Sequence, residues 1–249
     1  MPSFRDEAVC LRTWDWSETS QTACLLTTEH GILRGLAKGS KRERSAFGGG
    51  FEPLTRGELL AIPKPAGKLT TLTSWELTES FRSVRTALAA FHAAMYLAEV
   101  TMHVLSEGDP HPEVYRALVE ALRMLDDPAR AKLAVAWFLW RTLVDTGYRA
   151  DLESVAGTRQ PLPDQPTYLF DPSAGGFLPD GRPGDAQRPP WRVRAETLGF
   201  LRRMNDAADA AALASITSDE AERPARLLAT WVRELVGAPL HTHALLFGT

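Results

Sequence analysis

The strongest constraint on the fold is a change in hydrophobic periodicity near residue 80 of this 249-residue chain. Before it, short segments alternate apolar and polar residues with a period of two, which is typical of β-strands. After it, apolar residues recur every three or four positions, which is typical of amphipathic helices. A run of strands followed by a run of helices predicts an α+β protein, and the length suits two domains, which we place at residues 1–80 and 81–249.

Five strands are predicted between residues 7 and 79. The second and third are joined by a tight hairpin at Glu29-His30-Gly31, where Gly31 can supply a positive φ. A long loop joins the third and fourth strands, and Pro63, Pro65 and Gly67 mark the next turn. Five strands with one long loop fit a small closed barrel of the OB type better than a sandwich, which needs more strands.

The remainder of the chain is predicted to be mostly helical, with an irregular, cysteine-free insert at about residues 148–191 that contains a short hairpin at 167–178. Trp137 and Trp140 lie on the apolar stripe of the third helix, and we interpret them as packing anchors in preference to a ligand platform. The helices are predicted at residues 81–105, 112–125, 128–144, 194–213 and 220–236.

A cluster of positive charge interrupts the strand pattern. The net charge is only −3, so a polyanion would have to be bound by a local patch. Alternation places Arg34 and Lys38 on one face of the third strand, and Glu43 is the single acid between Arg34 and Arg44. This segment either tracks a polyanion or is an ordinary solvated loop. Its cations are Arg34, Lys38, Lys41, Arg42 and Arg44.

Common catalytic and metal motifs are absent: the sequence has no GxxxxGK[ST], GxGxxG after a strand, HExxH or GxSxG. Cys10 and Cys24 are predicted to be inert core residues, and His241 and His243 to cap the C-terminal segment more readily than to bind metal. We therefore expect no metal site and no cofactor. Since no apolar run approaches about 20 residues and no signal peptide is visible, we expect a cytoplasmic protein with no membrane contact.

The order of these parts resembles the RecO family of bacterial recombination mediators from end to end. The resemblance is carried by AVCLRTWDWSETSQTACLLTTEHGILRGLAKGSKRERSAFGGGFEPLTRGELL, with its EHG turn, its AKG and basic loop, and the FGG and EP that follow. It implies an OB domain fused to a helical domain, without enzymatic activity. It also implies binding to single- and double-stranded DNA, strand annealing, partnership with RecR, and loading of RecA onto DNA covered by the single-strand-binding protein, on the nucleoid. Many members carry a zinc module, but the corresponding insert here has no cysteine, so we expect no zinc.

An OB groove binds single strands through cations that follow the phosphates and aromatic faces on which bases stack. The five cations of the basic segment are the phosphate candidates, and Arg12 is a weaker one. Trp14, Trp16, Phe47 and Phe51 either stack on bases or plug the barrel.

The resemblance also implies that the helical domain receives the acidic C-terminal tail of the single-strand-binding protein. Such a receptor needs an apolar pocket with a cation at its lip. The candidate cations on the second and third helices are Arg116, Arg123, Arg130 and Lys132. The alternative function is a protein-interaction adaptor whose barrel does not bind nucleic acid, and an unrecognised enzyme comes third.

Overall fold

A computed structural model describes residues 2–65, 67–181 and 189–248. Contacts between residues divide the chain into two compact units. The first comprises Met1–Pro128 together with Leu240–Thr249, and the second comprises Ala129–Pro239. The fold class predicted from the sequence, a barrel followed by a mostly helical part, is confirmed.

A closed five-stranded barrel forms the N-terminal part of the first unit, in the order β1-β2-β3-β5-β4. The pair β3 and β5 is parallel, and the other pairs are antiparallel. This closed, five-stranded arrangement is consistent with the predicted OB-type barrel. The strands are β1 (Phe4–Ser17), β2 (Ser20–Thr27), β3 (Gly31–Ala37), β4 (Arg56–Ile62) and β5 (Thr70–Glu79).

The barrel interior is built by the predicted alternation. Leu33 and Ala37 of β3 point into the core, while Arg34 between them is exposed. Phe47 and Phe51, from the loop between β3 and β4, are also buried in this core. The rings of Phe51 and Trp75 lie 4.9 Å apart between centroids. Both phenylalanines therefore plug the barrel, and neither is available to stack on a base.

Gly31 begins β3 with φ +65°, as the hairpin pattern predicted. A Cβ at this position would lie 2.1 Å from the backbone oxygen of Asp109. The loop at residues 105–110 also pairs with this end of the strand, since the N–H of Gly108 donates to the carbonyl of Ile32 at 3.1 Å. Position 31 therefore requires glycine for two reasons: the positive φ of the turn and the close approach of the 105–110 loop to the barrel.

Three helices and a C-terminal one complete the first unit. The single helix predicted at residues 81–105 is wrong. Phe81 has φ 44°, which a helix does not accept, and Ala87 adopts φ −124° and ψ 121°, which separates α1 from α2. The helices of this unit are α1 (Ser83–Thr86), α2 (Leu88–Val104), α3 (Pro112–Met124) and α7 (His243–Phe247).

The second unit combines helices with a four-stranded sheet in the order β6-β8-β7-β9. The predicted hairpin is confirmed as β7 and β8, but β6 and β9 were missed, and residues 182–188 of the predicted insert lie outside the described residues. The helix predicted at 194–213 is shorter, because α5 ends at Asp206 and a separate 3-10 turn follows. The elements are α4 (Ala131–Asp145), β6 (Asp151–Val155), β7 (Thr167–Asp171), β8 (Gly176–Pro179), β9 (Trp191–Arg194), α5 (Ala195–Asp206) and α6 (Ser218–Val236).

Tryptophans pack the interior of the second unit. Trp137 and Trp140 are each 1% exposed, so the prediction that they are packing anchors is confirmed. Trp231 of α6 is equally buried, and its indole N–H donates to the carbonyl of Pro172 at 3.2 Å. Buried indole groups are stabilised by such a partner.

The two cysteines are buried, as the sequence predicted, whereas the predicted capping by His241 and His243 stays a prediction. Cys10 and Cys24 are buried, and burial raises the pKa of Cys24 to about 11. The segment before α7 is held by Glu99 of α2, whose carboxylate accepts hydrogen bonds from the backbone N–H groups of His241 and Thr242, each at 2.8 Å. Among the described residues there is no group of three His, Cys, Asp or Glu placed to hold a metal ion. The described helices include none that is both long and apolar enough for a membrane span.

Candidate nucleic-acid interface

The outer face of β1, β2 and β3 brings together two arginines that are far apart in sequence. Cys24 is opposite Arg12 on one side and opposite Arg34 on the other. Both arginines are exposed, and Cys24 lies buried between them. Because residues in register across neighbouring strands share one face, Arg12 and Arg34 border the same surface.

Two tryptophans stand on the same part of the barrel, near the hairpin between β1 and β2. Trp14 is 41% exposed and Trp16 is 61% exposed. The guanidinium of Arg12 lies over the ring of Trp14, 5.1 Å from its centroid, which restricts the motion of both side chains. Of the four aromatic candidates, the structure therefore leaves Trp14 and Trp16 open to a ligand.

The basic loop after β3 is fixed to the barrel at several points. The N–H of Lys41 donates to the carbonyl of Thr19 at 3.1 Å, and the N–H of Trp75 donates to the carbonyl of Ala46 at 3.0 Å. Phe47 and Phe51 then anchor the end of the loop in the core. The loop thus presents its cations from an ordered backbone beside the hairpin that carries the tryptophans.

Three cations of this loop face solvent. Lys38, Arg42 and Arg44 are exposed, and none of them forms an ion pair with any residue that the structure describes. Arg34 and Lys41 differ, because each is paired with a carboxylate. Glu107 lies 2.9 Å from Arg34, and Asp15 lies 2.5 Å from Lys41.

Two further cations, not predicted from the sequence, lie on the same side of the barrel. Lys64 and Lys68, in the loop between β4 and β5, line a pocket of about 300 Å³ that also includes Arg34. Phe4 and His30 form its stacked wall, with ring centroids 3.9 Å apart. The loops β1–β2 and β4–β5 flank the ligand face of OB folds. Two lysines in the sequence between Pro63 and Thr70 could therefore have been predicted to lie at this face.

The cations predicted for a partner peptide are all engaged within the chain. Arg116 pairs with Glu113, and Arg123 pairs with Glu79 at 2.8 Å, which holds the pKa of Glu79 below its ordinary value.

The other two of these cations, Arg130 and Lys132, lie in the second unit, where the first donates to the carbonyl of Leu213 and the second lies 2.9 Å from Glu222. Trp137 and Trp140 are too deeply buried to offer an open apolar surface beside them.

Two family profiles together match nearly the whole chain. "Recombination protein O N terminal" matches residues 1–81, and "Recombination protein O C terminal" matches residues 85–244. The chain belongs to the RecO family. The resemblance seen in the sequence is thereby confirmed.

Curated relatives named DNA repair protein RecO support this assignment. The one from Anaeromyxobacter sp. (strain K) is 31% identical over 219 residues, 88% of this chain and 85% of the relative. The one from Cutibacterium acnes is 30% identical over 216 residues, 82% of each protein. The relative from Syntrophobacter fumaroxidans is 35% identical over 154 residues, 62% of this chain and 61% of the relative, which is less than two thirds of its length.

Proposed function

We propose that this RecO-family protein is a DNA repair mediator without an enzymatic active site. It binds single- and double-stranded DNA, anneals complementary strands and, with RecR, helps to load RecA onto single strands covered by the single-strand-binding protein. Residues 1–80 act as the nucleic-acid-binding domain and residues 81–249 as the helical domain, and the protein works on the nucleoid.

The observation that carries this proposal is the combination, on one barrel face, of open aromatic rings with cations that form no ion pair to a described residue. Trp14 and Trp16 provide faces on which bases stack, and Lys38, Arg42 and Arg44 provide charge for phosphates. Solvated phosphates are attracted most strongly by cations that have no carboxylate partner, because no ion pair must first be broken. Because the net charge of the chain is −3, attraction for phosphates must come from a local patch of this kind.

The tail of the single-strand-binding protein is proposed to dock on the helical domain, as the family resemblance implies, and Arg116, Arg123, Arg130 and Lys132 are each a separate candidate contact. Each of these side chains already has a partner within the chain. The carboxylates of the acidic tail must therefore displace the existing partner of each cation or share the cation with it. We expect weak binding at these positions.

A salt titration with a labelled single-stranded oligonucleotide tests the proposed function. Affinity should fall linearly with salt on logarithmic axes, with a slope of about −3 if Arg12, Lys38, Arg42 and Arg44 each contact one phosphate. Trp14→Ala should weaken binding about tenfold, because one stacked base is lost, while leaving the slope unchanged. Leu77→Ala, at an exposed apolar residue of β5, is the control. No binding, or binding insensitive to salt, would favour the protein-interaction adaptor.

The two carboxylates on the interface should oppose DNA binding. Glu107→Gln frees Arg34, and Asp15→Asn frees Lys41, so each variant is expected to bind the oligonucleotide about fivefold more tightly and with a salt slope steeper by about 0.7.

The matched control is Glu58→Gln. It frees Arg5, whose guanidinium lies 3.0 Å from Glu58 on β1 and β4, outside the interface. If all three variants gain affinity equally, the effect is one of net charge, and the local role of Glu107 and Asp15 is refuted.

A further inference from the structure

The second unit contains a pocket that the proposed DNA interface does not use. It has a volume of about 330 Å³ and lies between β9 and α6. Trp191, Val193 and Leu227 give it apolar walls. Its size and its mixture of apolar walls with a few charged groups are those of a ligand site.

The charged residues that are described in the lining of this pocket are all cationic. Arg194 and Arg223 line it and are exposed, and no acidic residue of the described chain forms an ion pair with either. Arg192 also lines it and is held by Asp180 at 2.5 Å. No carboxylate is among the described residues that line the pocket, so its occupant should be anionic.

The strand β9 provides a second feature, because it is the edge of its sheet and pairs only with β7 among the described strands. The N–H of Ala195 donates to the carbonyl of Pro166 at 3.0 Å, on the β7 side. Since antiparallel strands alternate the direction of their backbone groups, the N–H and C=O of Arg192 point away from β7. No strand that the structure describes pairs with these groups, so they can accept a further strand.

We propose that the pocket receives an extended acidic segment of a partner protein, which adds to the sheet as a strand beside β9. Backbone groups of the partner segment pair with the N–H and C=O of Arg192. Its acidic side chains bind Arg194 and Arg223, and one of its apolar side chains enters between Trp191 and Leu227. Successive side chains of an added strand point to opposite faces of the sheet. A segment in which acidic and apolar residues alternate therefore fits both the arginines and the apolar walls of the pocket.

A polypeptide fits this site better than a nucleic acid. Arg223 and Thr197 also line a neighbouring pocket, whose other lining residues include Glu196, Asp219 and Glu220. These carboxylates repel the continuous charge of a phosphate backbone, whereas a short peptide can place its few charges on the arginines alone.

The test uses a fluorescent six-residue peptide that alternates glutamate and valine and is blocked at both ends, titrated into the full chain. Arg194→Ala and Arg223→Ala should each weaken binding about fivefold. Arg233→Ala, at an exposed residue further along α6 and outside the pocket, should leave it unchanged. A peptide with alternate amides N-methylated should lose binding, because it cannot pair with the strand edge.

Several results would overturn the proposal: no binding of the peptide, equal binding by the N-methylated peptide, or equal affinity in the Arg194 and Arg223 variants. Displacement of the peptide by an oligonucleotide, with the same dependence on Arg194 and Arg223, would assign the pocket to nucleic acid instead. A variant lacking Lys38, Arg42 and Arg44 should keep peptide binding, so failure of this site and failure of the barrel interface can be told apart.

Discussion

Replacing Lys38, Arg42 and Arg44 together by alanine is expected to lower affinity for a labelled single-stranded oligonucleotide about 100-fold at about 0.1 M salt. All three are exposed on the ordered loop after β3, without an ion pair to a described residue. Each lost phosphate contact removes a released counterion, which corresponds to about fivefold at this salt concentration. The salt slope should also become shallower by about 2, and fluorescence anisotropy measures both quantities.

The control for this experiment removes the same charge elsewhere. Arg149, Arg159 and Arg233 are exposed in the second unit, and their triple alanine variant changes the net charge by the same amount. It should bind DNA like the wild type. Equal losses in the two triple variants would mean that overall charge, and not the barrel loop, attracts DNA.

Replacing Glu99 by alanine is expected to lower the free energy of unfolding by about 3 kcal/mol, because two backbone N–H groups lose a charged acceptor. The carboxylate is buried on α2 and also accepts from the hydroxyl of Thr242. Chemical denaturation followed by circular dichroism measures the loss. Glu76→Ala, at an exposed carboxylate of β5, should have little effect. A loss below about 1 kcal/mol for Glu99→Ala would contradict the prediction.

The same carboxylate makes stability depend on pH. Burial raises the pKa of Glu99, but hydrogen bonds from Thr242 and His241 outweigh it and hold the pKa below its ordinary value. Its contribution is therefore complete above the pKa of glutamate in the unfolded chain, about 4.3, and is lost as the pH falls through the lower folded value. Denaturation curves of wild type and of Glu99→Ala should converge in this acidic range.

The barrel could be predicted from the sequence because its signals are local. Alternation in the predicted third strand placed Arg34 and Lys38 on one face, and the structure has both exposed while Leu33 and Ala37 are buried. The hairpin glycine fixed where the strand begins. A period of two reports directly which side chains face inward. The tryptophan anchors of α4 were predicted for the same reason, from their place on an apolar stripe.

Other features depend on contacts between distant residues and leave no local pattern. Ala87 breaks the helix although alanine is the best helix former, so intrinsic helix propensity does not predict the break. β9 has only four residues, and its strand conformation is fixed by pairing with β7. Glu107 is 73 positions from Arg34, and nothing near either residue predicts that the carboxylate covers that cation.

The hydrogen bonds of Glu99 impose an order on the maturation of the nascent chain. Glu99 is made early, while its donors His241 and Thr242 follow the whole of Ala129–Pro239. At about 5–20 residues per second, the ribosome leaves this carboxylate without those donors for on the order of 10 s. The second unit is therefore complete in sequence before the first can close, and until then Tyr96 of α2 lacks its edge-on contact with the ring of Phe247.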